Sequence, residues 1–189
     1  MKKEKIPNLP IKTFYISKET ISSPHLIEII KMGKILIRNK ILNKNSDFVM
    51  SMKYGKRMII SSEIQDFEKI SKDELIEVAD YDPIKKNMLI IGPGEHKKNT
   101  ALHWMLHYAI KDINTIVEIK NNLIDKKITK NLIKIQDNYP KNSVDYIKEA
   151  LVKIKDNNIL LDEDGALFFI GKKPAETLEL ILKTFEGAK

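Results

Sequence analysis

Residues 92–122 read GPGEHKKNTALHWMLHYAIKDINTIVEIKNN, and the remainder of the chain is organised around them. Gly92, Pro93 and Gly94 end the apolar run that precedes them, because glycine reaches positive φ and proline has no backbone donor. Asn99 or Thr100 is placed to cap a helix, and Leu102, Met105, Leu106 and Ala109 recur at three- and four-residue spacing, which is the pattern of one buried helical face. Asp112 and Asn114 close that helix in a short turn. Thr115, Ile116, Val117 and Ile119 are mostly β-branched and read as a buried strand. Glu118 and Lys120 lie two apart near its end and therefore point to one side of the sheet.

Upstream, residues 1–21 carry Pro7 and Pro10 before Thr13, Phe14, Tyr15 and Ile16, which predicts an extended N-terminal arm, and residues 22–189 read as one domain. Ser23 and Pro24 mark a helix start, with Leu26, Ile29, Ile30, Gly33 and Ile37 on one face and an end near Asn39. Phe48 to Lys53 and Met58 to Ser61 flank Tyr54-Gly55-Lys56 as a hairpin. Ser71-Lys72-Asp73-Glu74 is a capping box. Leu75 to Ala79 and Met88 to Ile91 read as strands joined by a turn at Asp80-Tyr81-Asp82-Pro83. Downstream, helices are expected over 123–135 and 144–154, separated by Asn138-Tyr139-Pro140, with Ser143 as a cap.

The chain has 189 residues and a formal charge of +7. No apolar stretch approaches the length of a bilayer span, and the basic start lacks an apolar segment of the signal-peptide kind, so no membrane partner is expected and the cytoplasm is the expected location. The absence of cysteine removes disulfides, thiolate metal sites and cysteine nucleophiles together. The positive charge invites a nucleic-acid reading. Its distribution disfavours one: lysines are mixed with acids throughout, only Arg38 and Arg57 supply guanidinium groups, and no basic run is interleaved with aromatics.

The order of a loop, a histidine-bearing helix, an Asp-x-Asn turn and a strand ending in two same-side polar residues resembles the class II aldolase and adducin family. Residues 159–171, ILLDEDGALFFIG, are similar to that family's second strand pair, and 172–185 to the helix after it. The resemblance covers residues 24–186. It implies an α/β fold, a mixed β-sheet flanked by helices on both faces, and a homo-oligomer, commonly a rotational tetramer in the family. Members carry a Ser-Ser-Glu before the helix, whose glutamate acts as acid and base, and a His-x-His pair and a later histidine that hold a zinc ion stabilising an enediolate.

Carried over residue by residue, the histidine pair falls on Glu118 and Lys120, the later histidine on Asp164, the glutamate on Asn99 and the two serines on Lys97 and Lys98. Ser51 matches the serine of the family's phosphate segment, but Phe48 and Val49 stand where its glycine and asparagine cradle phosphate, and Leu123 replaces a tyrosine. The resemblance thus implies a degenerate zinc site and no cofactor, with Glu118 and Asp164 as ligands only for a hard cation. Glu118, Lys120 and Asp164 are expected to converge, the ammonium lying between two carboxylates. Asn99 exchanges no proton near neutral pH. Ser51, Lys97, Lys98, Glu118, Lys120 and Asp164 are the candidate ligand-binding residues, for an anionic or sugar-phosphate molecule.

His103 and His107 lie four apart, a spacing that can place two imidazoles on one metal. With Trp104 and Met105 beside them and no third ligand in sequence reach, they read as core or interface histidines. The functional expectation is a class II aldolase-like protein that has lost zinc-dependent aldol cleavage and serves as a small-molecule-binding or structural relative. The alternative is an active sugar-phosphate lyase that uses a non-zinc cation or Lys120, although adjacent Glu118 and Asp164 would hold that lysine protonated and oppose a Schiff base.

Overall fold

The computed structural model describes residues 10–44, 46–63, 70–121, 123–124, 126–135, 139, 143–154 and 157–186. Their elements follow in the order β1 (Lys12–Ser17), α1 (Leu26–Arg38), β2 (Asp47–Tyr54), β3 (Arg57–Ser61), β4 (Leu75–Asp82), β5 (Asn87–Ile91), α2 (Thr100–Ala109), β6 (Thr115–Lys120), α3 (Lys126–Thr129), β7 (Ile133–Lys134), α4 (Val144–Ile154), β8 (Ile159–Leu161), β9 (Leu167–Gly171) and α5 (Pro174–Glu186). The strands form one nine-stranded sheet in the order β1-β5-β4-β3-β2-β6-β9-β8-β7. It is mixed: β1 runs parallel to β5 and β7 to β8, and the other pairs are antiparallel.

Side chains alternate across a strand, and here the alternation sorts the core into two faces. Met50 on β2, Ile59 on β3, Val117 on β6 and Phe169 on β9 join one cluster with Ile29 and Leu36 of α1 and Ile181 and Phe185 of α5. On the other face Ile116, Phe168 and Ile170 pack with Leu102 and Leu106 of α2 and with Tyr146 and Ile147 of α4. Val49, Ile60, Ile76 and Ile90 pack there with Ala101 and Trp104 of α2. The result is the expected three-layer α/β arrangement, with a sheet covered by helices on both faces.

Local signals place most elements. The hairpin turns on Gly55, whose φ is +56°, with Tyr54 paired to Arg57. Both bonds of the capping box at Ser71 and Glu74 are made. The ordered part of the N-terminal arm is β1, which forms the sheet edge by pairing Lys12 to Ser17 along β5; residues 1–9 lie outside the described residues. Helix α1 begins at Leu26 instead of Pro24, because the Ser23 hydroxyl and carbonyl first hold the N–H groups of His25 and Leu26 in a turn.

Three expectations are corrected. Strand β4 continues to Asp82, and the turn lies at Pro83–Lys86, where the Asp82 carboxylate accepts the N–H groups of Ile84 and Lys85 at 2.9 and 3.0 Å. In place of a helix over 123–135 there is one helical turn and then β7, because Ile133 and Lys134 pair with Leu160 and Leu161; sheet pairing outweighs helical periodicity over so short a segment. Asn138 and Pro140 lie outside the described residues. Finally, α2 is not buried on one stripe: Thr100, Ala101, Leu102, His103, Trp104, Leu106 and His107 are all buried while Ala109 is exposed. Among the described residues no helix is long and apolar enough to cross a membrane.

Candidate functional site

The loop from Gly92 to Asn99 enters α2 over the sheet. Gly92 has φ +131°, and a Cβ there would stand 3.1 Å from the Ile76 backbone, so only glycine lets the loop leave β5 against β4 without strain. The Tyr15 hydroxyl donates to the Gly94 carbonyl at 3.2 Å and ties the loop to β1. The loop delivers His96, Lys97, Lys98 and Asn99 to a cleft of about 400 Å³, whose other wall is Asp47, Phe48, Val49 and Glu63.

Lys97 does not project freely into this cleft. Its Nζ donates to the Phe48 carbonyl at 2.7 Å, lies 3.3 Å from Asp47 Oδ1 and sits over the Phe48 ring. Lys98 is exposed on the rim. His96 Nδ1 donates to the Lys97 carbonyl at 3.1 Å. Asn99 occupies the N-cap position of α2, yet its side chain makes no capping bond. Its Nδ2 instead donates to Glu118 Oε1 and Oε2 at 2.6 and 2.8 Å.

Glu118 is 5% exposed and sits opposite Val49 on β2 and Phe168 on β9. Behind it runs a chain of buried polar groups. His103 Nε2 is 3.5 Å from Glu118 Oε2, within ion-pair range but beyond a hydrogen bond. His103 Nδ1 is 2.7 Å from Ser51 Oγ, which is 2.8 Å from His107 Nε2, and His107 Nδ1 is 3.3 Å from the Ile113 carbonyl. Ser51, His103 and His107 are all inaccessible to solvent.

The directions of these bonds follow from chemistry. Burial, and then the nearby His103, hold the His107 imidazole down to about 3, so it is neutral. A carbonyl only accepts, so the proton of His107 is on Nδ1 and Nε2 is an acceptor. Ser51 must then donate its one proton to His107, and its oxygen accepts from His103 Nδ1–H. That leaves His103 Nε2 facing Glu118.

A second buried acid lies nearby. Asp162 accepts a short hydrogen bond from the Tyr146 hydroxyl, and burial followed by this bond raises the tyrosine well above its ordinary value. The backbone of 162–166 folds back on itself, with Asp162 N–H bonded to the Ala166 carbonyl and Gly165 N–H to the Asp162 carbonyl. This turn carries Asp164 to the surface, where its Oδ2 is 3.6 Å from Lys120 Nζ, each side chain being about half exposed.

The candidate residues therefore divide. Asn99 and Glu118 meet at the head of α2, and Lys97 and Lys98 stand at the adjoining cleft. Lys120 and Asp164 pair with each other at the surface, while the Glu118 carboxylate accepts from the Asn99 amide. Ser51, expected at a ligand, lies beneath α2 with its hydroxyl committed to two imidazoles. A larger cavity, about 550 Å³, lies at the other end of α2 against Ile113, Ile170 and Lys172. Its lysines are engaged, Lys172 with Asp112 and Lys183 with Glu179, and it contains none of the polar chain beyond Ile113.

No protein-family model matches the sequence, and no curated protein matches it. Solved structures do. An L-fuculose 1-phosphate aldolase superposes with a TM-score of 0.66 at 14% identity over 88% of this chain and 85% of that one. YgbL, a putative aldolase/epimerase/decarboxylase from Klebsiella pneumoniae, gives 0.65 at 12% over 89% and 88%. The N-terminal class II aldolase domain of a protein from Thermoplasma acidophilum gives 0.63 at 12% over 92% and 96%. The fold is that of the class II aldolases.

Within the class II aldolase fold, sequence reading placed Asn99, Lys98 and Glu118 at one end of the helix and missed what lies behind them. The four-residue spacing of His103 and His107 was a visible signal, and their burial agrees with a core role. That a single hydroxyl from β2 joins them depends on β2 pairing with β6 across more than sixty residues of chain. Tyr146 and Asp162 gave no comparable signal beyond an acid ending an apolar run.

Proposed function

We propose that this chain is a class II aldolase-fold protein that binds a small anionic, hydroxylated molecule in the cleft at the head of α2 and does not perform zinc-dependent carbon–carbon cleavage. One observation carries the reading: the carboxylate at 118 is held by the Asn99 amide and His103, while the side chain two residues on is an ammonium paired with Asp164. Zinc of the kind the resemblance implies does not fit this donor set. Among the described residues no group of three His, Cys, Asp or Glu side chains is arranged to hold a metal ion, and Lys120 opposes any added positive charge. A missing electrostatic stabiliser of a developing enediolate costs several kcal/mol, and an asparagine at 99 supplies no replacement proton-transfer group.

The anion preference rests on exposed Lys98 beside His96 on the cleft rim, with Asp47 and Glu63 across from them to meet hydroxyl groups. The names of the solved neighbours, among them a sugar-phosphate aldolase from Thermotoga maritima, point to the same ligand class. Lys120 is a poor Schiff-base lysine, being half exposed and ion-paired.

Two measurements on the purified protein test this. Elemental analysis after dialysis is expected to find zinc and manganese far below one per chain, and calorimetric titration with a sugar phosphate is expected to show saturable binding that Lys98→Ala weakens. A stoichiometric transition metal accompanied by aldehyde release from the sugar phosphate would overturn the reading.

A further inference from the structure

Where the C-terminal end of α2, the end of α4, the close of β9 and the start of α5 meet, the fold leaves a hollow of about 550 Å³ at the opposite end of α2 from the cleft. Its floor is aliphatic. Ile113, Ile154 and Ile170 reach it from the core on one face of the sheet and Leu180 from the core on the other. Gly171 has no side chain to hold α5 off β9, and a Cβ there would strike the Thr177 hydroxyl, so the helix comes close and its next turn stands over the hollow. Small-molecule sites have this form: about 300–1,000 Å³ of mostly apolar wall with a few polar groups at the edge.

The polar groups at this edge have a sign. Helix α5 presents Glu176, Glu179 and Lys183 along the rim at three- and four-residue spacing. The carboxylates of Asp112, Glu176 and Glu179 stand there against the ammonium groups of Lys172 and Lys183, an acidic balance in a chain whose formal charge is +7. Both lysines are engaged, Lys172 at 3.7 Å from Asp112 and Lys183 at 2.6 Å from Glu179. The Glu176 carboxylate and the Asn158 side-chain amide are exposed at the opening and have no hydrogen-bond or ion-pair partner among the described residues. An anion entering here would have to draw a lysine away from its carboxylate, whereas a cation meets Glu176 with no pair broken.

We propose that this hollow is a second ligand site, for a small organic amine whose apolar body covers the isoleucines and Leu180 and whose ammonium pairs with Glu176 beside the Asn158 amide oxygen. Covering the aliphatic floor releases water from it and supplies the affinity. The ammonium at an exposed carboxylate adds selectivity more than strength. The site shares no residue with the cleft at the head of α2 and does not depend on what binds there.

The test is a titration of the whole protein with phenethylamine, followed by nitrogen-edited NMR, with phenethyl alcohol and hydrocinnamate as neutral and anionic counterparts of similar shape. Saturable shifts confined to Ile113, Ile170 and the first turns of α5 are expected with the amine. The alcohol is expected to bind about two- to fivefold more weakly, the range set by a solvent-facing ion pair, and the anion more weakly again. Absence of saturation, shifts elsewhere in the chain, or an alcohol or anion that binds as tightly as the amine overturns the proposal.

Glu176→Gln keeps the size of the side chain and removes its charge. It is expected to bring the amine down to the affinity of the alcohol and to leave the alcohol unchanged; an amine affinity equal to that of the native protein counts against the assignment of Glu176 and overturns the proposal. Leu180→Trp, which fills the hollow, is expected to abolish binding of both, and the comparison of amine with alcohol on the native chain decides the matter should that variant not fold. Lining resonances that move with protein concentration before any amine is added would put a second copy of the chain in the hollow and overturn the small-molecule assignment.

Discussion

Substituting Ser51 by alanine leaves two buried nitrogens without partners, His103 Nδ1 at 2.7 Å from the lost oxygen and His107 Nε2 at 2.8 Å. Neither ring has solvent access, so water cannot take the place of the hydroxyl. Each unsatisfied buried group costs about 1–3 kcal/mol. Some of that is recovered because the serine hydroxyl no longer has to be desolvated, which brings the expected loss to about 3 kcal/mol. In a domain of this size each kcal/mol moves Tm by about 2–4 °C, so thermal unfolding should shift down by roughly 6–12 °C, and urea unfolding should show a lower midpoint at unchanged slope. Thr115→Val is the matched control. Thr115 is also buried on a central strand, but its Oγ1 already has no partner, so replacing the hydroxyl with a methyl is expected to be neutral or slightly stabilising. A Ser51→Ala loss below about 1 kcal/mol, or one no larger than that of Thr115→Val, would refute the bonded chain beneath α2.

Three further outcomes follow from the same structure. His107 is held down to about 3 when folded against an ordinary 6.5, so between those values the unfolded chain binds the extra proton and stability falls as the pH is lowered through that window; urea unfolding from about pH 7 to about pH 4 should show a steeper loss for the native chain than for His107→Gln, by up to roughly 1.4 kcal/mol per pH unit, and equal slopes would contradict a buried neutral imidazole. Lys120→Ala removes one partner of a half-exposed pair and should change stability by less than about 0.5 kcal/mol, while borohydride trapping with dihydroxyacetone phosphate should label no lysine at 120. Gly92→Ala puts a Cβ 3.1 Å from the Ile76 backbone at φ +131° and should cost about 1–3 kcal/mol and weaken ligand binding at the loop it anchors, which calorimetry on the folded variant would measure.

The elements that sequence reading found are those whose information is local. A capping box declares itself in four residues at Ser71–Glu74, and a glycine between two apolar runs declares the hairpin at Gly55. What it misread was decided at a distance. Residues 123–135 have a helical pattern, but Ile133 and Lys134 find strand partners at Leu160 and Leu161. The amphipathic stripe on α2 is real, yet the helix lies between two core clusters, so its polar-looking side is buried as well. The candidate site shows the same division. Glu118 is recognisable as an acid ending an apolar strand, but its company of Asn99 and His103 comes from how far along the sheet α2 sits. Lys120 and Asp164 do meet, because the 162–166 turn delivers Asp164 to the surface end of β6, whereas the partners of Glu118 named above come from α2.

One hydroxyl gripping two successive turns of α2 also has a mechanical meaning. An interface made only of aliphatic side chains tolerates small slippage, since one methyl contact substitutes for another. Ser51 permits none: advancing the helix by a single residue swings both imidazoles about 100° off the oxygen, and sliding it by a whole turn leaves one ring without its bond. The serine acts as a detent that indexes the helix, and it sets how deeply the tip bearing Asn99 reaches into the opening at the end of the sheet.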